Sequence, residues 1–206
     1  MHLDAEKESS SPPILFSLME DCSVLIILCL EYIGVNRYEQ ISDHVIVTAT
    51  GEFADFQEAT RKLKELTHET FLFDDNVTHS VADYANYLAR LCYEKRNNQN
   101  PYYNNFIVAG IENGEAHLSS IDLFGNHIVK DYVCAGFSKY FGLALIANEW
   151  NPTKSMEECK AILHRCFTVL YERDCHSVDQ VQFATVTNEG IKVLPPEHVA
   201  SNWDFK

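Results

Sequence analysis

The chain has 206 residues, with 16 Lys+Arg against 30 Asp+Glu and a formal net charge of −14. Its 46% hydrophobic and 12% aromatic content, with only 8 Gly and 6 Pro, belongs to a packed body and excludes a disordered or collagen-like chain. The acidic balance repels phosphate backbones and anionic lipid, and the densest basic stretch, Arg61-Lys62-Leu63-Lys64, is interleaved with acids, so no nucleic acid and no membrane is expected as a partner.

Residues 1–13, ending in Ser9-Ser10-Ser11-Pro12-Pro13, read as a flexible polar lead-in, with Asp4, Glu6 and Glu8 where a secretory signal would be basic. Residues 14–19, 24–30 and 45–49 are short apolar runs rich in β-formers and are expected to be strands. The run 24–30 is far shorter than the ~20 residues a spanning helix needs. From Gly51 the apolar period becomes helical, through Phe53, Phe56, Thr60, Leu63 and Thr67, then through Tyr84, Tyr87, Leu88, Leu91 and Cys92. Two helices follow, joined by a loop at 71–78. Strands return at 105–111, 116–121 and 127–133, with Asn113-Gly114 and Gly125-Asn126 as turns. Helices come next at about 137–149 and 155–171. The second carries a capping box, Ser155 with Glu158, and one apolar face of Met156, Cys159, Leu163, Cys166, Phe167 and Leu170. A final hairpin joins 180–186 to 191–194 through Asn188-Glu189-Gly190. Strands grouped in blocks predict an α+β fold of antiparallel sheets, with one helix layer on each side of a two-sheet sandwich. No repeat or linker divides it, so residues 14–206 are expected to form a single domain.

The seven cysteines are scattered and none forms a C-x-x-C pair, which favours reduced core thiols over a disulfide framework. G-x-G-x-x-G, Walker, H-E-x-x-H and G-x-S-x-G patterns are all missing, so the commonest nucleotide, zinc and hydrolase sites lack their mechanical parts. His164 and His176 lie near Asp174, but their spacing fits no ligand set, and neither metal nor cofactor is expected. Cys159 and Cys166, seven apart on one helix, read as packing.

Two stretches are more specific. Gly51-Glu52-Phe53-Ala54-Asp55-Phe56-Gln57 precedes an amphipathic helix, and Tyr171-Glu172-Arg173-Asp174-Cys175-His176-Ser177 precedes the last hairpin. Together they closely resemble the β subunits of the 20S proteasome, and the resemblance extends over about residues 14–206. It implies the four-layer αββα sandwich of the N-terminal nucleophile hydrolases, two antiparallel sheets flanked by helix pairs. Asn100-Pro101, Asp122-Leu123-Phe124-Gly125 and Ser201-Asn202-Trp203-Asp204 look most like a non-catalytic member at the seventh position of the β ring.

Active members of that family use an N-terminal threonine, set up by an aspartate, a lysine and an Asp-x-x-Ser pair. Here the first threonine is Thr48, and no lysine lies between Lys7 and Lys62. On the family pattern Pro12 falls at the nucleophile, Leu28 or Cys29 at the aspartate, and Ala135 at the serine after the sixth strand. Only Asp174 and Ser177 are kept, and they are expected to hold the turn after the long helix. Neither Ser11 nor Cys22 is placed to lead the first strand. The stretch between the second strand and Gly51 is shorter than the family's, so the loop bordering an active site is expected to be trimmed. The resemblance therefore implies a catalytically silent subunit that assembles with other proteasome β subunits, in the same and the opposite ring, and with the α ring. It would serve ubiquitin-dependent degradation in cytoplasm and nucleus. Phe71, Phe73 and Trp203 are expected at interfaces, with buried core as the competing reading. A divergent active N-terminal hydrolase and a free acidic α+β protein are the alternatives.

Overall fold

A computed structural model describes residues 14–18, 24–29, 36–73, 78–174 and 178–200, the first two stretches by their backbone. Strands β1 (Ile14–Leu18) and β2 (Val24–Cys29) form an antiparallel hairpin, Ile14 opposite Leu28 and Leu18 opposite Val24. Next come β3 (Tyr38–Ser42) and β4 (Val45–Gly51), then helices α1 (Phe53–Phe73) and α2 (Val81–Asn97). Strands β5 (Asn104–Glu112), β6 (Glu115–Ile121), β7 (His127–Val129) and β8 (Tyr132–Ala135) follow. Helices α3 (Ser138–Glu149) and α4 (Met156–Arg173) lead to β9 (Gln180–Thr187), β10 (Gly190–Val193) and β11 (Glu197–His198). Among the described residues these build two antiparallel sheets, one ordered β3-β4-β5-β6-β7 and the other β10-β9-β2-β1-β8 with β11 beside β9.

Strand periodicity divides the core. Val47, Ala49, Phe106 and Val108 turn to one face of the first sheet, where Phe56, Leu63, Tyr84 and Leu88 of α1 and α2 cover them. Their neighbours Ile46, Ile107 and Ala109 turn the other way and meet Val133, Ala135, Ala184 and Val186 of the second sheet. Val181, Phe183 and Cys134 leave that sheet on its far side, against Cys159, Leu163, Cys166, Phe167 and Leu170 of α4. A two-residue period thus feeds alternate side chains of single strands into different clusters. Because β4 and β5 are covered on both faces, their sequences run nearly continuously apolar.

The expected capping box at Ser155 and Glu158 is present, and a second one joins Ser80 to Asp83 at the head of α2. Asn113 and Gly114 take positive φ, 52° and 82°, as a tight hairpin turn requires. Two expectations need correction. Residues 127–133 are not one strand: β7 pairs with β6 and β8 with β1, so the chain changes sheets at Lys130-Asp131. Phe71 and Phe73 do not sit in a loop, because α1 runs on to Phe73. The stretch before Gly51 also holds a strand that the sequence does not mark, β3, paired with β4 and carrying a register shift between Gln40 and Ser42. Residues 1–13, Ser177 and Trp203 lie outside the described residues.

Candidate functional site

Leu28 and Ala135 lie on either side of one residue of β1. Ile14, the first residue of β1, pairs with Leu28 of β2 on one side and with Ala135 of β8 on the other. Pro12 stands two residues upstream, outside the described residues. On its far side Leu28 pairs with Gln182 of β9. The Gln182 amide nitrogen donates to the Leu194 carbonyl at 3.0 Å, while its buried Oε1 has no hydrogen-bond partner among the described residues. Ala135 is buried between the sheets, and its carbonyl accepts the Ser138 hydroxyl at 2.7 Å. Gly136, at φ 65°, then turns the chain into α3. Neither a leucine nor an alanine side chain can donate, accept or ionise, so these two positions supply no acid, base or nucleophile.

Asp174 caps the C-terminus of α4, buried, with its N–H donating to the Leu170 carbonyl at 2.8 Å. The structure places it at the helix exit, as the sequence suggests, and Ser177 is beyond what is described. Burial pushes the thiols of Cys92, Cys134 and Cys166 up to about 12. They stay protonated at neutral pH and are poor nucleophiles and poor metal ligands. Among the described residues no three His, Cys, Asp or Glu side chains gather as a metal site, and no helix is long and apolar enough to cross a membrane. His164 is half-buried on α4, and His176 is not described.

A cleft of about 770 Å³ opens elsewhere, between the β3–β4 turn, the end of α1, the start of α2 and the β5–β6 turn. Three of its hydroxyls are engaged, Thr70 with His79 at 2.7 Å and Thr67 with Tyr84 at 2.8 Å. Neither Leu28, Ala135 nor Asp174 lines it. Phe71 borders this cleft, and Phe71 and Phe73 are 78% and 79% exposed, so neither belongs to the core. One triad-like arrangement has no sequence signal, because it joins two strands and a helix. His127 lies 2.9 Å from the Ser119 hydroxyl and 3.2 Å from the Asn86 amide oxygen. Ser119 is only 3% exposed, so the arrangement ties α2 to β6 and β7 without presenting a nucleophile.

The proteasome subunit family profile matches residues 30–186, most of the described chain. The chain belongs to the proteasome subunit family. Among its relatives, proteasome subunit beta type-4 of Arabidopsis thaliana is 32% identical, over 85% of this chain and 72% of that protein. The Dictyostelium discoideum protein of the same name is 33% identical over 79% of the chain and 64% of its own length. That of Xenopus laevis is 28% identical over 84% and 72%. The chain is thus similar to several proteins carrying the beta type-4 name, which agrees with the motifs at 51–57, 100–101 and 122–125.

Proposed function

We propose that the chain is a non-catalytic, structural β subunit of the 20S proteasome core particle, needed for assembly of the β ring. The observation that carries this reading is its likeness, at 28–33% identity over most of its length, to three proteins named beta type-4. The residues beside Ile14 support it. Where an active family member would be equipped with an aspartate and a serine, Leu28 and Ala135 flank the head of β1. Hydrolysis is then the task of other subunits, and this one contributes surfaces.

In this reading residues 14–206 form one domain with four layers, helix pair, sheet, sheet, helix pair. Three separate apolar clusters, one between each successive pair of layers, support that order. The partners are other β subunits of the same and the opposite ring and the α ring, the chain takes the seventh β position, and the particle works in cytoplasm and nucleus. Asp174, with Ser177, holds the turn after α4 rather than any reacting group. Phe71 and Phe73, apolar and exposed at the end of α1, fit contacts that a free monomer would not keep bare.

The test is purification of the tagged chain from its own cells, followed by native mass measurement and labelling with an electrophilic peptide probe. The expected result is a particle containing other proteasome subunits, in which the probe labels those subunits and not this chain. A free monomer, or covalent labelling of this chain at its N-terminus, overturns the proposal.

A further inference from the structure

The hairpin between β5 and β6 turns on Asn113 and Gly114, the one Asn-Gly pair in the chain. Glu112 and Glu115 face each other across its base, and the two central residues take φ 52° and 82°. Asn113 is exposed, and its side chain makes no hydrogen bond among the described residues. The Gly114 N–H, in the middle of a two-residue turn, has no acceptor there either. Nothing lies within 4 Å of the place where a Gly114 Cβ would stand, so the tip is unbraced and its backbone nitrogen is open to approach. Other exposed asparagines lack this combination. Asn188 sits at the matching place of the β9–β10 hairpin, but Glu189 follows it, with an N–H that donates to the Thr187 hydroxyl at 3.3 Å. The Asn126 side chain donates to Asp122 at 2.7 Å, and Asn151 accepts from Thr153 and precedes Pro152, which has no N–H. Asn97 and Asn98 precede residues whose N–H groups close the end of α2 on the carbonyls of Glu94 and Arg96.

We propose that Asn113 is a site of spontaneous deamidation, through a cyclic imide closed by the Gly114 nitrogen. That nitrogen gives its proton to solvent base and attacks Asn113 Cγ. The new N–Cγ bond closes a five-membered ring as the Cγ–Nδ2 bond breaks, and the leaving nitrogen takes up a proton and departs as ammonia. Nucleophile and carbonyl belong to adjacent residues, so the step has the advantage of an intramolecular reaction. Water then adds to either imide carbonyl and breaks its bond to nitrogen. Opening at the side-chain carbonyl leaves aspartate; opening at the backbone carbonyl leaves isoaspartate, with the chain running through Cγ. Water is the only co-reactant. Aspartate would set a third carboxylate between Glu112 and Glu115, and isoaspartate would add a methylene to the turn that fixes the β5–β6 register. Asn113 also borders the 770 Å³ cleft, beside Asp43 and His44, so either product alters the charge at its mouth.

The test incubates the full folded chain, purified from its own cells, at pH 7 and pH 9. Each asparagine is then read against an unincubated sample by peptide mass spectrometry, with electron-transfer fragmentation to separate aspartate from isoaspartate. The expected result is conversion of Asn113 about tenfold or more ahead of Asn188, faster at pH 9, with both products present. Asn113→Gln keeps an amide there, but its longer side chain disfavours the ring. This variant is expected to lose the acidic species that grows in on ion exchange of the wild type. An Asn113 that remains an amide in the folded chain overturns the inference, even if the chain in urea converts. Conversion no faster than at Asn188 overturns it as well, as does unchanged growth of the acidic species in N113Q.

Discussion

Asp83 and Glu158 show how single side chains set where this fold tolerates acid. The Asp83 carboxylate accepts the Ser80 backbone N–H at 2.9 Å, and Glu158 accepts that of Ser155 at 2.9 Å. Those bonds, before any other cause, hold both carboxyls below their ordinary range. A carboxyl whose folded pKa lies below its unfolded one stabilises the fold above the unfolded value, and that contribution is lost as pH falls through the folded value. Asp83→Asn and Glu158→Gln are therefore expected to lower the urea midpoint at pH 7 and to narrow the difference between pH 7 and pH 3. Equal pH dependence in variant and wild type would contradict the assignment. Ala135 poses a different question at the same scale. Ala135→Ser restores the hydroxyl that the family pattern places there, but inside the inter-sheet cluster. The expected outcome is no peptide hydrolysis and no probe labelling, since β2, on the other side of β1, still offers Leu28, together with a loss of about 1–3 kcal/mol from burying a hydroxyl without a dedicated partner. Peptide-cleavage assays and thermal melts check the two halves.

Gly51 joins β4 to α1, and the junction depends on its lack of a side chain. Its φ is 110°, and a Cβ there would lie 2.0 Å from the Tyr103 carbonyl oxygen, which already accepts the Glu52 N–H at 3.1 Å. Asn104 closes the same corner by donating to the carbonyls of Thr50 and Glu52 at 3.2 and 2.8 Å. Gly51→Ala must move backbone against backbone, so a loss of about 3 kcal/mol or more, or failure to fold, is expected by chemical denaturation. The sequence reveals this element through its change of period at Gly51 and the Phe53, Phe56, Leu63 spacing. It hides β3, because Tyr-Glu-Gln-Ile-Ser has no clean alternation and its pairing with β4 is shifted near Ile41. It likewise hides the break at Lys130-Asp131, because apolar residues on both sides continue the pattern while the strands join different sheets. The candidate site is legible in part. The lack of a threonine before Thr48 and of a lysine between Lys7 and Lys62 is plain in the sequence, whereas the placing of Leu28 and Ala135 on either side of Ile14 needs strand pairing that brings together β1 and β8, more than a hundred residues apart.

Across the whole molecule, stability passes through the layer between the sheets. Ile46, Ile107, Ala109, Ile111 and Leu118 come from the sheet under α1 and α2, and Val133, Ala135, Ala184 and Val186 from the sheet under α3 and α4. Among the described residues each half has its own helix-covered cluster, and only this third one belongs to both. It is built largely of branched aliphatics and alanines, which let the sheets approach closely and leave little slack for a large-to-small change. Ile107 is fully buried at its centre, so Ile107→Ala is expected to cost about 2–5 kcal/mol through lost burial and the cavity left behind. If the two halves form one cooperative domain, that cost is felt equally on both sides. Trp150, packed on Tyr132 at a ring distance of 5.5 Å, belongs to the half that does not contain Ile107. In I107A the fluorescence change reporting Trp150, isolated by replacing Trp203 with Phe, should shift to a lower denaturant midpoint together with the far-UV signal. A Trp150 transition that stays at the wild-type midpoint, while half of the far-UV change moves ahead of it, would show two independently folding units and contradict the single-domain reading. Coincident shifts mean that the inter-sheet layer makes the helices on one side depend on side chains from the other, a rigidity that surfaces serving assembly on opposite faces would require.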